Sequence, residues 1–161
     1  MDNRWSESEA RSIVDRSIEN GLSGEIALRV YTTRLLGQDA QLVLHGGGNT
    51  SMKTRLTDVL GDEVEVLCVK GSGWDMATIE AAGLPAVRLE PLRRLRSLDE
   101  LGDEDMVNFL RANLLDSSAP NPSVETLLHA FLPHKFVDHT HANAILSLTN
   151  QPDGESICRD V

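Results

Sequence analysis

The residues best placed to do chemistry are His139 and His141, which close the short run Phe136-Val137-Asp138-His139-Thr140-His141. The composition of this run favours a strand, where side chains alternate faces, so both imidazoles project from the same face. Neutral imidazole suits Zn²⁺, and a catalytic zinc usually takes three protein ligands and keeps one position open. Two unrelated histidines on a polar strand face is the competing reading of the same spacing.

Glu125 is the next candidate. The turn-rich break Ala119-Pro120-Asn121-Pro122-Ser123 precedes Val124-Glu125-Thr126-Leu127-Leu128-His129-Ala130-Phe131-Leu132, which reads as a helix. Its N-cap is either Asn121, with Pro122 at the first helical position, or Ser123. Glu125 falls in the first turn in both registers and shares a face with Leu128, His129 and Leu132. An acidic residue there is ordinarily a partner of the helix dipole. A helix that ends at Pro133 and returns at once as the histidine strand also brings this carboxylate towards a bound cation. A carboxylate in that place is a natural general base next to a carbonyl.

Two glycine-rich segments supply a third kind of chemistry. Gln41-Leu42-Val43-Leu44 reads as a strand and His45-Gly46-Gly47-Gly48-Asn49-Thr50-Ser51 as a tight loop after it. Val64 to Val69 reads as a second strand opening into Lys70-Gly71-Ser72-Gly73. Loops of small residues with free N–H groups and hydroxyls form anion-binding nests, with Lys70 or Lys53 available as a point charge. Plain turns explain each loop taken singly.

Other chemistries find no support. The His45 to Gly48 run resembles a lipase oxyanion loop, but the chain contains no G-x-S-x-G nucleophile elbow. Neither G-x-G-x-x-G nor G-x-x-x-x-G-K-[ST] occurs. Cys68 and Cys158 are too far apart in sequence for a zinc knuckle, and His45, His129 and His134 read as single core or surface residues.

Composition narrows the setting. A chain of 161 residues forms one domain, 1–161, with a real core. Two distant cysteines and the absence of a leader at Met1-Asp2-Asn3-Arg4 fit a reducing cytoplasm. No run approaches membrane-spanning length. A net charge of −10 argues against nucleic acid, and the one basic cluster, Arg88 with Arg93, Arg94 and Arg96, reads as a solvated helix face. An acidic chain still binds a phosphate where local donors converge.

The positioning elements follow from periodicity. Helices are expected over Glu9–Asn20, over a segment capped by Ser23 with Ile26, Ala27, Val30, Tyr31 and Leu35 buried, over 103–115, and over 142–148. Asp75 to Ile79 reads as a helical turn and Ala86 to Leu89 as a short strand. Gly61-Asp62 separates the two central strands as a hairpin or a longer connection. Strands and helices interleave without a strict βαβ rhythm, so the sheet is expected to be mostly antiparallel, with helices on its faces.

Taken together, Gly48-Asn49-Thr50-Ser51, Val69-Lys70-Gly71-Ser72-Gly73, Pro122-Ser123-Val124-Glu125 and His139-Thr140-His141 resemble the class II aldolase/adducin family in order and spacing. The strings GGGNTSMKT, VKGSGWDMAT and ETLLHAFLPHKFVDHTHANAI look most like the aldolase domain of bifunctional rhamnulose-1-phosphate aldolase/alcohol dehydrogenases. The resemblance implies a three-layer α/β/α fold and zinc held by His139 and His141. It also implies Glu125 as acid/base and a substrate phosphate among Gly48, Asn49, Ser72, Gly73 and Ser123. The implied reaction is reversible aldol cleavage of a ketose 1-phosphate to dihydroxyacetone phosphate and an aldehyde. Epimerisation or dehydration of a sugar phosphate, and a non-catalytic adducin-like assembly module, are the alternatives. The implied partners are a small phosphorylated sugar and further copies of the chain, with neither nucleic acid nor membrane.

One departure stands out. The family's third zinc histidine comes from a later strand, and no histidine follows His141. The segment 151–161 reads as a turn entering a helix, so the fold is expected to be C-terminally incomplete and the zinc site incomplete within this chain.

Overall fold

The computed structural model describes residues 3–160; Met1 and Asp2 of the expected leader-free start, and Val161, lie outside the described residues. Two helices open the chain, α1 (Glu7–Glu19) and α2 (Gly24–Gly37). Ser6 caps the first through the Glu9 N–H, and Ser23 caps the second through the Ile26 N–H, as its sequence position predicts. Strands β1 (Asn49–Thr57) and β2 (Glu63–Val69) form the expected hairpin, closed by the Asp58–Asp62 turn. Strand β3 (Ala86–Arg88) runs into α3 (Leu89–Arg94), and α4 (Asp103–Ala112) follows. The chain then makes α5 (Thr126–Phe131), β4 (Phe136–His139), α6 (Asn143–Thr149) and α7 (Gly154–Asp160).

All pairings in the four-stranded sheet are antiparallel, in the order β3-β2-β1-β4. The alternation of β2 shows why helices cover both faces. Val66 and Cys68 pack with Val30, Ile79 and Leu84 on the α2 side, while Leu67 and Val69 pack with Leu92, Leu110 and Ala130 on the other. A strand buried on both faces needs apolar residues at consecutive positions, which explains why Val66 to Val69 fails to alternate. The layers are therefore helix, sheet, helix, in an α/β arrangement.

Two expectations need correction. The segment 41–44 is not a strand but a series of turns. Asp39 dictates this. Its side chain accepts the Gln41 N–H at 3.0 Å, and its carbonyl accepts the N–H groups of Leu42 and Val43 at 2.9 and 3.0 Å. The strand begins instead at Asn49, so the first glycine loop precedes a strand rather than following one. The histidine strand also ends early. β4 stops at His139, and His141 lies beyond it, its N–H donating to Leu42 O at 2.9 Å. The turn series thus supplies the acceptor that holds the second histidine in place.

The end of α2 is packed tightly enough to test. A Cβ at Gly37 would collide with the backbone of Met76 and Ala77, including the Ala77 nitrogen. Alanine at a helical glycine ordinarily gains ~0.5–1 kcal/mol. Gly37→Ala is expected to reverse that sign and cost about 1–3 kcal/mol, because backbone cannot yield as a side chain can. A thermal melt checks it, at roughly 2–4 °C per kcal/mol for a chain of this size.

Candidate functional site

The site is assembled where β1, β4 and the start of α5 meet. Asn49 opens β1 and lies directly opposite His139 of β4. Glu125 stands at the N-cap position of α5, one residue outside the first turn assigned to it by sequence. The local cause is Ser123, whose hydroxyl accepts the Glu125 N–H at 3.2 Å and whose carbonyl accepts the Thr126 N–H at 3.0 Å. This turn aims the Glu125 carboxylate back at the sheet. Its Oε2 lies 3.0 Å from His139 Nδ1 and also receives a hydrogen bond from the Asn49 side-chain amide.

His141 completes the group. The His139 and His141 ring centroids are 4.9 Å apart, at 61°. One donor atom from each of Glu125, His139 and His141 can be chosen so that all lie within 4.8 Å of one another. Glu125 and His139 are half-buried and His141 is exposed, so one side of the cluster is open. Two imidazoles and one carboxylate are the donor chemistry of a divalent transition-metal site with room for a further ligand. The carboxylate arrives as a donor in its own right, beyond the two histidines expected as ligands.

Glycines let the backbone approach these donors. Gly48 has φ +70°, and a Cβ there would stand 2.7 Å from His139 O. At Gly47 a Cβ would lie 3.0 Å from His141 Nδ1. The second glycine loop is tied to the Glu125 turn, with Ser72 N–H donating to Asn121 O at 2.8 Å and Ser123 N–H to Lys70 O at 3.2 Å. Lys70 links the two loops, its ammonium donating to Gly46 O at 3.2 Å. It is only 4% exposed. Burial lowers its pKa, and the charges of Asp75 and Glu125 oppose that shift. Gly73, at φ +83°, and Gly46, at φ +78°, face open space.

The structure thus gathers Gly48, Asn49, Glu125, His139 and His141 around one point, with Ser72, Gly73, Ser123 and Lys70 on the adjoining hydrogen-bonded loops. The Asn49 amide is directed to Glu125. Lys53 stands elsewhere, with its ammonium on His129 O at 2.8 Å and His134 O at 2.7 Å. Sequence reasoning treated His129 as an isolated residue. It is fully buried, its Nδ1 lies 2.8 Å from Ser51 Oγ, and burial pushes its pKa down to about 4. A cavity of about 750 Å³ between α1 and α2, lined by Ile13, Leu22, Ile26, Val30 and Arg34, shares no residue with the cluster. Donor chemistry rather than cavity size therefore marks the site.

Comparison with known proteins agrees with this fold. The family described as class II aldolase and adducin N-terminal domain matches residues 27–159. The chain is 48% identical over 132 residues to the uncharacterized oxidoreductase YuxG of Bacillus subtilis (strain 168), covering 82% of this chain and 19% of that protein. It also superposes, with a TM-score of 0.81 and 43% identity, on the N-terminal class II aldolase domain of a conserved protein from Thermoplasma acidophilum. That match covers 94% of this chain and 65% of the solved one. The chain belongs to the class II aldolase and adducin family, and it spans less than two thirds of each of these relatives.

Two outcomes follow from the site. His139→Ala and Glu125→Gln are each expected to weaken Co²⁺ binding by about 10-fold or more, read by the visible spectrum of a titration; unchanged affinity in both would remove the cluster as a metal site. His129, with a folded pKa near 4 against 6.5 in the open chain, binds its proton more readily when unfolded. Its contribution to stability is therefore complete above pH 6.5 and is lost as pH falls towards 4, by up to about 3 kcal/mol. Urea melts across that window, compared with those of His129→Gln, check both sign and size.

Proposed function

We propose that this member of the class II aldolase and adducin family carries out zinc-dependent, reversible aldol cleavage of a ketose 1-phosphate, of the rhamnulose-1-phosphate kind, to dihydroxyacetone phosphate and an aldehyde. The observation that carries the reading is the juxtaposition of the Glu125–His139–His141 donors with two glycine loops joined by a buried lysine. His139, His141 and Glu125 would hold the metal. When bound, zinc supplies Lewis-acid polarisation of the substrate's carbonyl and neighbouring hydroxyl.

The rest of the chemistry falls to the chain itself. Lys70, with the N–H groups of Gly48 and Gly73 and the hydroxyls of Ser72 and Ser123, holds the phosphate and so fixes which carbon faces Glu125. In the condensing direction Glu125 takes a proton from the hydroxymethyl carbon of dihydroxyacetone phosphate, and that carbon adds to the aldehyde, whose oxygen takes a proton from water to become the new hydroxyl. In cleavage that hydroxyl gives its proton to water as the carbon–carbon bond breaks and the aldehyde leaves, and Glu125 returns its proton to the same carbon. The Asn49 amide orients the carboxylate by donating to it. Among the described residues both cysteines are free, which fits a cytoplasmic setting, and no helix is long and apolar enough to cross a membrane. We infer self-association through the exposed β4 edge, where Phe136 is 52% exposed, and through the first helices.

Dihydroxyacetone phosphate alone tests the reading. In deuterated water, the zinc-loaded intact protein is expected to exchange one hydroxymethyl proton, followed by NMR. Glu125→Gln, measured at saturating zinc, should slow exchange by about 10²- to 10⁴-fold. Lys70→Met should raise KM for the phosphorylated compound and leave that for unphosphorylated dihydroxyacetone unchanged. A wild-type protein that binds zinc but exchanges nothing would favour a sugar-phosphate epimerase or dehydratase, or an assembly module.

A further inference from the structure

β1 turns three polar side chains, two residues apart, towards α5. Asn49 bonds Glu125 at the start of the helix, Ser51 bonds His129 in its middle, and Lys53 bonds His129 O and His134 O at and beyond its end. Ser51 is 0% exposed, His129 0% and Lys53 9%. We propose that Ser51, His129 and Lys53 are positioning residues that fix the register of α5 against β1, and through it the reach of Glu125 to the histidines.

Three observations support this. First, α5 has only six residues, too few to hold itself as a helix without tertiary contacts. Second, both hydrogen bonds of the Lys53 ammonium go to carbonyls, and burial lowers its pKa. A desolvated cation is costly, and its favourable partner here is the negative end of the helix dipole. Third, β1 also sets the histidines, because Asn49 pairs with His139 across the sheet. One strand therefore indexes both halves of the metal cluster, and a slip of α5 by one residue would swing Glu125 about 100° away from His139.

The inference rests on Glu125 being a donor of the proposed metal site, and its test reads metal affinity without substrate. Ser51→Ala and Lys53→Met are made in the wild-type and Glu125→Gln backgrounds, and Co²⁺ affinity is measured on the intact protein by calorimetry. Each substitution is expected to weaken binding about 10-fold in the wild-type background and to have almost no effect once Glu125 is gone. Equal losses in both backgrounds, or no loss at all, would overturn the positioning role. Ser51→Ala removes a single hydroxyl, so it keeps the test open if Lys53→Met fails to fold. Failure of the aldolase reading would show separately, as absent proton exchange in a wild-type protein whose metal coupling is intact.

Discussion

The pairing of Asn49 with His139 is the contact on which the rest of the site depends. It places the first residue of β1 beside the last residue of β4, at the edge of the sheet where regular pairing stops. Beyond that point the backbone is free to turn. The glycine loop therefore packs against His141, and Glu125 reaches His139. Gly48 at φ +70° allows the loop to leave the strand so closely, with the His139 carbonyl filling the space a side chain would need. Any larger residue there would separate β1 from β4 and pull the histidines from the carboxylate.

Behind this edge the chain buries an unusual amount of polarity. Arg29, 4% exposed, reaches from α2 to Asp138 and to Val137 O on β4. Thr33 and Thr50 share a hydrogen bond of 2.6 Å between α2 and β1. Three buried polar atoms lack a partner among the described residues: Arg29 Nε, Asn49 Oδ1 and His129 Nε2. Each such group costs stability relative to a well-packed apolar side chain. They cluster around the strands that carry the histidines, while the far side of β2 is apolar. Stability is thus concentrated in one part of the sheet, and geometric specification in the other.

Legibility in the sequence followed the same division. Helices α2 and α4 and strand β2 could be read because apolar periodicity or β-branched composition reports burial directly. The H-x-H pair and the carboxylate after the Pro-rich break stood out by residue type and order, each beside an ordinary competing reading, and the structure brings them together. The segment 41–44 misled because three apolar residues in four look like a strand, whereas the backbone answers to Asp39. His129, read as a single core or surface residue, is a core residue, but its contact with Ser51 was hidden for a related reason. A single histidine on a helix gives no periodic signal, and its partner Ser51 is 78 positions away in the chain. The segment up to Ser51 read as a loop, so the polar alternation Asn49, Ser51, Lys53 emerges only with β1 and the helix that covers it.

The charge of the chain points the same way. A net charge of −10 creates a field that repels anions at long range, yet the proposed substrate is a phosphate. Surface cations cannot overcome this, because water and salt screen them within about a Debye length. Lys70 differs in being almost fully buried, in a loop whose N–H groups bond Thr50, Gly83 and Asn121 and with its ammonium on Gly46 O of the other loop. There its charge acts through a medium of low polarisability, where a nearby ion feels it far more strongly than at the surface. For the proposed phosphate, the desolvation that lowers its pKa would be the cost of making one cation outweigh, at contact, a large opposite net charge.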